Sequence, residues 1–98
     1  MADYSRDEEL FLQAMSNIIR KLRLKKEYDN QEDFATDHDY GRSRYQAIEG
    51  GANLTTVSIL RLLSHYEGIE PSDFMKMVEA ERERLKKNKV HRQNFKVA

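Results

Sequence analysis

Apolar residues recur along most of this chain at helical spacing. Leu10, Phe11, Ala14, Met15, Ile18, Ile19 and Leu22 fall three or four apart, which predicts a first helix over residues 6–26. Ser5 and Glu8 fit a capping box at its start, each side chain relieving a free backbone N–H. Tyr28, Asp29 and Asn30 break the pattern. Asn30 suits the N-cap of a short second helix, Gln31–Asp37, whose apolar side is Phe34 and Ala35. Residues 38–41 read as a turn, because Asp39 tolerates a left-handed backbone and Gly41 can cap the next helix. That third helix, Arg42–Glu49, ends at Gly50 and Gly51. Thr55 caps a fourth helix bearing Val57, Ile59, Leu60, Leu62, Leu63 and Tyr66, and Gly68 ends it. Pro71 fits the first turn of a fifth, where its missing N–H is not needed. Phe74, Met77 and Val78 give that helix an apolar start, and after them only Ala80 and Leu85 are apolar before residue 90. Residues 90–98 read as a mobile basic tail. Strand-like alternation is absent, so the expected fold is all-α with five helices. Residues 1–80 form the domain; residues 81–98 form a helical extension and tail.

The chain has 98 residues, enough for one domain with one modest core. It has no cysteine, which removes disulfides and cysteine-bound zinc and leaves apolar packing to hold the fold. No apolar run reaches the roughly 20 residues of a bilayer span. The N-terminus is too acidic for a signal peptide, so the expected compartment is the cytoplasm. Seventeen basic and seventeen acidic residues cancel, which argues against coating nucleic acid by bulk charge. The charges are nevertheless segregated. Residues 20–26 hold five basic groups and no acid, residues 27–41 six acids and no base, and residues 82–98 a net charge of +6.

Two short helices joined by a tight turn, over residues 31–51, are the informative stretch. Their apolar positions are few: Phe34, Ala35, Tyr40, Tyr45 and Ile48. Neither helix is stable alone, so both must be pinned against helices one and four. Ala35 is small where two helices cross closely, and Tyr40 and Ile48 turn inward. Arg42, Ser43, Gln46 and Ala47 are left on the outward face of helix three, with Arg44 to one side.

The run Gln31-Glu32-Asp33-Phe34-Ala35 followed by Ile48-Glu49-Gly50-Gly51 resembles the lambda-repressor-like, Cro/Xre-type helix-turn-helix family. Its pattern is Gln-x-x-apolar-Ala, a turn, a recognition helix, then apolar-Glu-x-Gly. The resemblance covers about residues 15–78, and the Arg-Ser-Arg-Tyr run is similar to a bacterial subfamily of short regulators. It implies that helix three enters the major groove of duplex DNA. Arg42 and Ser43 would meet base edges, Arg42 bidentately at guanine. Gln46 would pair with adenine, and Ala47 would touch a thymine methyl. Asn30 and Gln31 would grip phosphate through side chains and free backbone N–H groups, with Arg44 and Asn53 as further backbone contacts. Arg23 and Glu49 match positions that form a structural ion pair. The chain departs from the pattern in having Asp39 for the turn glycine, Gly41 for the usual Ser or Thr cap, and a strongly acidic second helix.

Other features carry blander readings. His38, His65 and His91 share no ligand spacing, so no metal site is expected. No nucleophile, phosphate loop or paired buried carboxylate supports catalysis, and no cofactor or small-molecule substrate is implied. Met15, Met75 and Met77 read as core, and Tyr40 and Tyr45 as packing. The expectation is a transcriptional regulator, a repressor, binding double-stranded DNA as a homodimer. About four base-contacting side chains per module supply less discrimination than specific binding needs, which is the energetic reason for pairing. Residues 78–85 are the expected dimer contact. The alternative is a protein-binding module, such as an antitoxin or accessory subunit, which the acidic segment 27–41 favours slightly.

Overall fold

The computed structural model describes residues 4–52 and 54–97, with side chains through residue 88. Five helices appear in the order α1 (Arg6–Lys25), α2 (Gln31–Asp37), α3 (Arg42–Glu49), α4 (Thr56–Leu63) and α5 (Pro71–Val97), with no strand among the described residues. The all-α expectation holds at that level.

The long α1 is the trunk. Its start has the expected capping box: Glu8 N–H donates to Ser5 Oγ at 3.2 Å and Ser5 N–H to Glu8 Oε1 at 2.8 Å. Its apolar stripe (Leu10, Ala14, Met15, Ile18, Ile19, Leu22) is buried throughout. From Ala14 to Leu22 that stripe shares one buried cluster with Phe34 and Ala35 of α2, Tyr45 and Ile48 of α3, Leu62 and Leu63 of α4, and Phe74 and Val78 of α5. Phe34, wholly buried, is the hub of an aromatic cluster with Tyr28, His38, Tyr40, Tyr45 and Tyr66. Each is a large payload of apolar area for such short helices.

Three details differ from the sequence reading. First, α4 stops at Leu63, a turn earlier than expected, and Tyr66 reaches the core from the turn that follows. An eight-residue helix presents a narrow inner face, so Val57 and Leu60 are exposed rather than buried. Second, Met75 is exposed, because Phe74 and Val78 already occupy the inner face of α5. Third, the backbone of α5 continues through Val97 where a mobile tail was expected. Residues 72–97 contain no Gly or Pro and many strong helix formers, so loss of apolar periodicity did not end the helix.

α5 crosses α1 through polar contacts as well as apolar ones. Glu81, nearly buried, accepts from Arg84 Nε and Nη2 at 2.9 and 2.7 Å and from Asn17 Nδ2 at 2.8 Å. Arg84's hydrogen bonds, against the opposing effect of burial and with help from Asn17, hold its carboxyl down to about 2. A carboxylate whose folded pKa lies below its unfolded one stabilises the fold above the unfolded value. That stability is lost as pH falls from the ordinary carboxyl value of 4.5 through about 2. Glu81→Gln is expected to cost on the order of 1–2 kcal/mol at neutral pH, less than the full pKa difference because exposed Arg84 is screened. Urea denaturation at stepped pH should show variant and parent converging in acid; a constant gap would assign the loss to packing instead.

Candidate nucleic-acid interface

The α2–turn–α3 unit is assembled by local chemistry at each joint. Asn30 adopts an extended backbone and its Oδ1 accepts from Asp33 N–H at 2.8 Å, capping α2. His38 closes the other end with its N–H on Phe34 O at 3.1 Å. Asp39 then takes the left-handed conformation, φ +62°, in the place where the family pattern has glycine. Tyr40 N–H returns to Ala35 O at 2.8 Å, which folds the turn back on α2 and buries the Tyr40 ring. Gly41 is the N-cap of α3 with no side chain to offer. After α3, Gly51 has φ +93° and a Cβ there would sit 3.3 Å from Leu12 O, so positive φ and close approach to α1 both require glycine.

α3 divides cleanly. Tyr45, Ile48 and Glu49 are buried; Arg42, Ser43, Arg44 and Gln46 are exposed, and Ala47 is half-buried. The outward face expected for base contact is therefore exposed at Arg42, Ser43 and Gln46 and half-buried at Ala47. Asn30, Gln31, Glu32, Asp33, Arg42 and Gln46 line one open groove of about 320 Å³ between the start of α2 and the start of α3. The structure thus brings together four of the expected contact residues, Asn30, Gln31, Arg42 and Gln46. Ser43, Arg44 and Ala47 lie on α3 outside that lining. Asn53 is outside the described residues. Asn30's amide is occupied by capping, since its Nδ2 also donates to Asp33 Oδ2 at 3.2 Å, so it is less free for phosphate than expected.

Two charged features set the electrostatics. Glu32 Oε2 stands 3.5 Å from Arg42 Nη1, with both side chains mostly exposed. Such a pair is worth about 0–1 kcal/mol and yields readily to a better partner. Beneath α3, Arg23 Nε donates to Glu49 Oε1 and Oε2 at 3.0 and 3.1 Å, with side chains only 5% and 3% exposed. Arg23 Nη1 also donates to Tyr28 O at 2.7 Å, and Ser16 Oγ donates to Glu49 O. The ion pair expected at Arg23 and Glu49 is present and clamps the end of α3 to α1.

Sequence reasoning missed two arrangements. It left Arg42 without a partner; Glu32, ten residues away in an adjoining helix, carried no local signal. It also separated the histidines, whereas the His38 and His65 ring centroids lie 4.3 Å apart and Tyr40 Oη is 3.1 Å from His65 Nε2. Burial first, then His38, Arg61 and Lys26, pushes the His65 pKa below its ordinary value, which favours the neutral ring. Among the described residues no group of three or more His, Asp or Glu is placed to hold a metal ion, and no helix is long and apolar enough to cross a membrane.

No family model, curated protein or solved structure matches this chain.

Proposed function

We propose that the chain is a lambda-repressor-like helix-turn-helix protein that reads duplex DNA, acts as a transcriptional repressor in the cytoplasm, and carries out no reaction. It works as a homodimer on two half-sites about one helical turn apart. One observation carries this reading: α3 is pinned by Tyr45, Ile48 and Glu49 while Arg42, Ser43 and Gln46 face outward, beside a groove shared with the start of α2. Arg and Gln are the side chains whose paired donors and acceptors match guanine and adenine edges. A helix held rigidly by its other face presents them in one register. Glu32 releases Arg42 when phosphate and base edges compete for it.

A second reading has its own support. Glu32 and Asp33 line the same groove as Arg42, and carboxylates there repel phosphate but suit a basic protein partner. Under that reading the module holds another protein, as an antitoxin or accessory subunit does.

Selection from a random duplex library at moderate salt, with the full chain, separates the two. The expected result is enrichment of a palindromic motif. Affinity for it should fall linearly in log–log plots against salt, with a slope of about −0.9 per phosphate neutralised. A well-folded protein that enriches nothing, or whose binding ignores salt, rejects the DNA reading in favour of the protein partner.

A further inference from the structure

Two half-buried imidazoles stand behind the turn between α2 and α3. His38, the C-cap of α2, and His65, in the turn after α4, meet with ring centroids 4.3 Å apart. Both rings also lie against Phe34, the hub of the aromatic cluster. His38 Nδ1 is 2.9 Å from Phe34 O; a carbonyl only accepts, so Nδ1 carries the proton and Nε2 is left to titrate. His65 Nε2 is 3.1 Å from Tyr40 Oη, and Tyr40 is the residue whose N–H folds the turn back on α2. The contact therefore ties the end of α4 to the turn that seats α3.

The charges gathered around the two rings are mostly positive. From the end of α1, Lys26 Nζ donates to His65 O at 3.2 Å. From α4, Arg61 lies 4.8 Å from the centroid of the Tyr40 ring and its Nη2 donates to Asp39 O at 3.4 Å. Arg44 of α3 adds positive charge near the Tyr40 hydroxyl. On α2, Asp37 is engaged elsewhere: it accepts from Tyr28 Oη at 2.8 Å, and the Tyr28 ring lies edge-on to His38. Among the described residues no ion pair joins either imidazole to Asp33, Asp37, Asp39 or Glu67. A proton on both rings sets like charges in contact, with cations around them and no carboxylate paired to either.

We infer that the contact of His38 with His65 is an acid-sensitive latch: when both rings carry a proton they part, and the turn that seats α3 loosens. Histidine is the side chain that changes charge in mild acid, so small falls in pH reach it. Burial first, then His38, Arg61 and Lys26, holds the His65 pKa below its ordinary value of 6.5. A histidine lowered in the folded state stabilises the fold above the unfolded value, and that stability is lost as pH falls from 6.5 through the folded value. Glu81 titrates in stronger acid, so the two losses separate along a pH series. Release of duplex in mild acid is the functional consequence. It alone rests on the DNA reading proposed above; the latch does not.

NMR titration of the imidazole protons of the full chain, without DNA, tests the contact. His65 should titrate below 6.5, and in His38→Gln its midpoint should move upward. Amide exchange tests the loosening. Corrected for the intrinsic effect of pH, protection of the Tyr40 N–H should fall more than that of Ile19 between about pH 7.5 and about pH 5.5. The difference should shrink in His65→Gln, which takes up no proton; His91 is common to all these chains and drops out of the comparison. A His65 midpoint that is not lowered, or that ignores His38→Gln, overturns the inference. So does an equal loss of protection at Tyr40 and Ile19, or an undiminished difference in His65→Gln. Should His65→Gln fail to fold, the parent and His38→Gln titrations still decide. If the latch opens in acid but library selection enriches nothing, the DNA reading fails and the latch stands.

Discussion

Arg42→Ala and Gln46→Ala should each lower the preference of the protein for its selected duplex over unrelated DNA by about 1–3 kcal/mol. Both side chains are exposed and neither holds the core together, so the helical spectrum and melting temperature should stay where they are. The loss is one of selectivity. Arg42 presents five donors in a fixed fork that suits bidentate pairing with guanine, so on the proposed reading Arg42→Lys should keep the charge and most of the non-specific affinity while losing most of the discrimination. Glu32→Gln supplies the contrast. It removes a carboxylate 3.5 Å from Arg42 and beside the proposed phosphate track. It should therefore raise affinity for every duplex by a similar factor and leave the preferred motif unchanged. Competition binding with matched and mismatched duplexes measures all four variants on one scale. If Arg42→Ala and Gln46→Ala select the same motif with undiminished preference, α3 is not the reading helix.

How much of this was legible beforehand follows from the range of the interactions involved. The limits of α2 and α3 were readable because their signals are local: Asn30 caps Asp33 three residues on, and Gly51 takes the positive φ that ends the unit. The division of α3 into inward Tyr45 and Ile48 and outward Arg42, Ser43 and Gln46 follows from a period of 3.6 residues and needs no tertiary knowledge. The outer face of α4 was misread for a related reason. Val57 and Leu60 obey the same periodicity as core residues, and only the width of the groove that receives α4 decides which side chains fit. The far half of α5 lacked an apolar stripe, and the absence of a stop signal mattered more. Glu32 beside Arg42 and His38 beside His65 depend on the packing of helices against one another, which no spacing along the chain encodes.

The ion pair between Arg23 and Glu49 joins the two kinds of knowledge. It was expected from resemblance, and its geometry now makes a quantitative demand. Both oxygens of Glu49 accept from Arg23 Nε in a site almost closed to water. Removing one partner leaves the other charge buried without compensation, which costs about 3–5 kcal/mol. Glu49→Ala or Arg23→Ala should therefore take a large part of the roughly 5–15 kcal/mol that holds a small domain together. Each kcal/mol should appear as about 4–8 °C in Tm. The double variant Arg23→Met with Glu49→Leu removes both charges and refills the volume, so it should recover most of that stability. Urea denaturation of the parent and the three variants measures these losses on one scale. Single losses below about 1 kcal/mol would mean that water reaches the pair and that α3 is held by its apolar face alone. The functional consequence separates the variants further. Glu49 anchors the last residue of α3 to α1, so the double variant tests whether the pair adds alignment beyond stability. A stable double variant that binds the selected duplex normally makes the pair a device for folding. One that folds well yet binds with blurred selectivity makes it the clamp that sets the register of Arg42 and Gln46 against the bases.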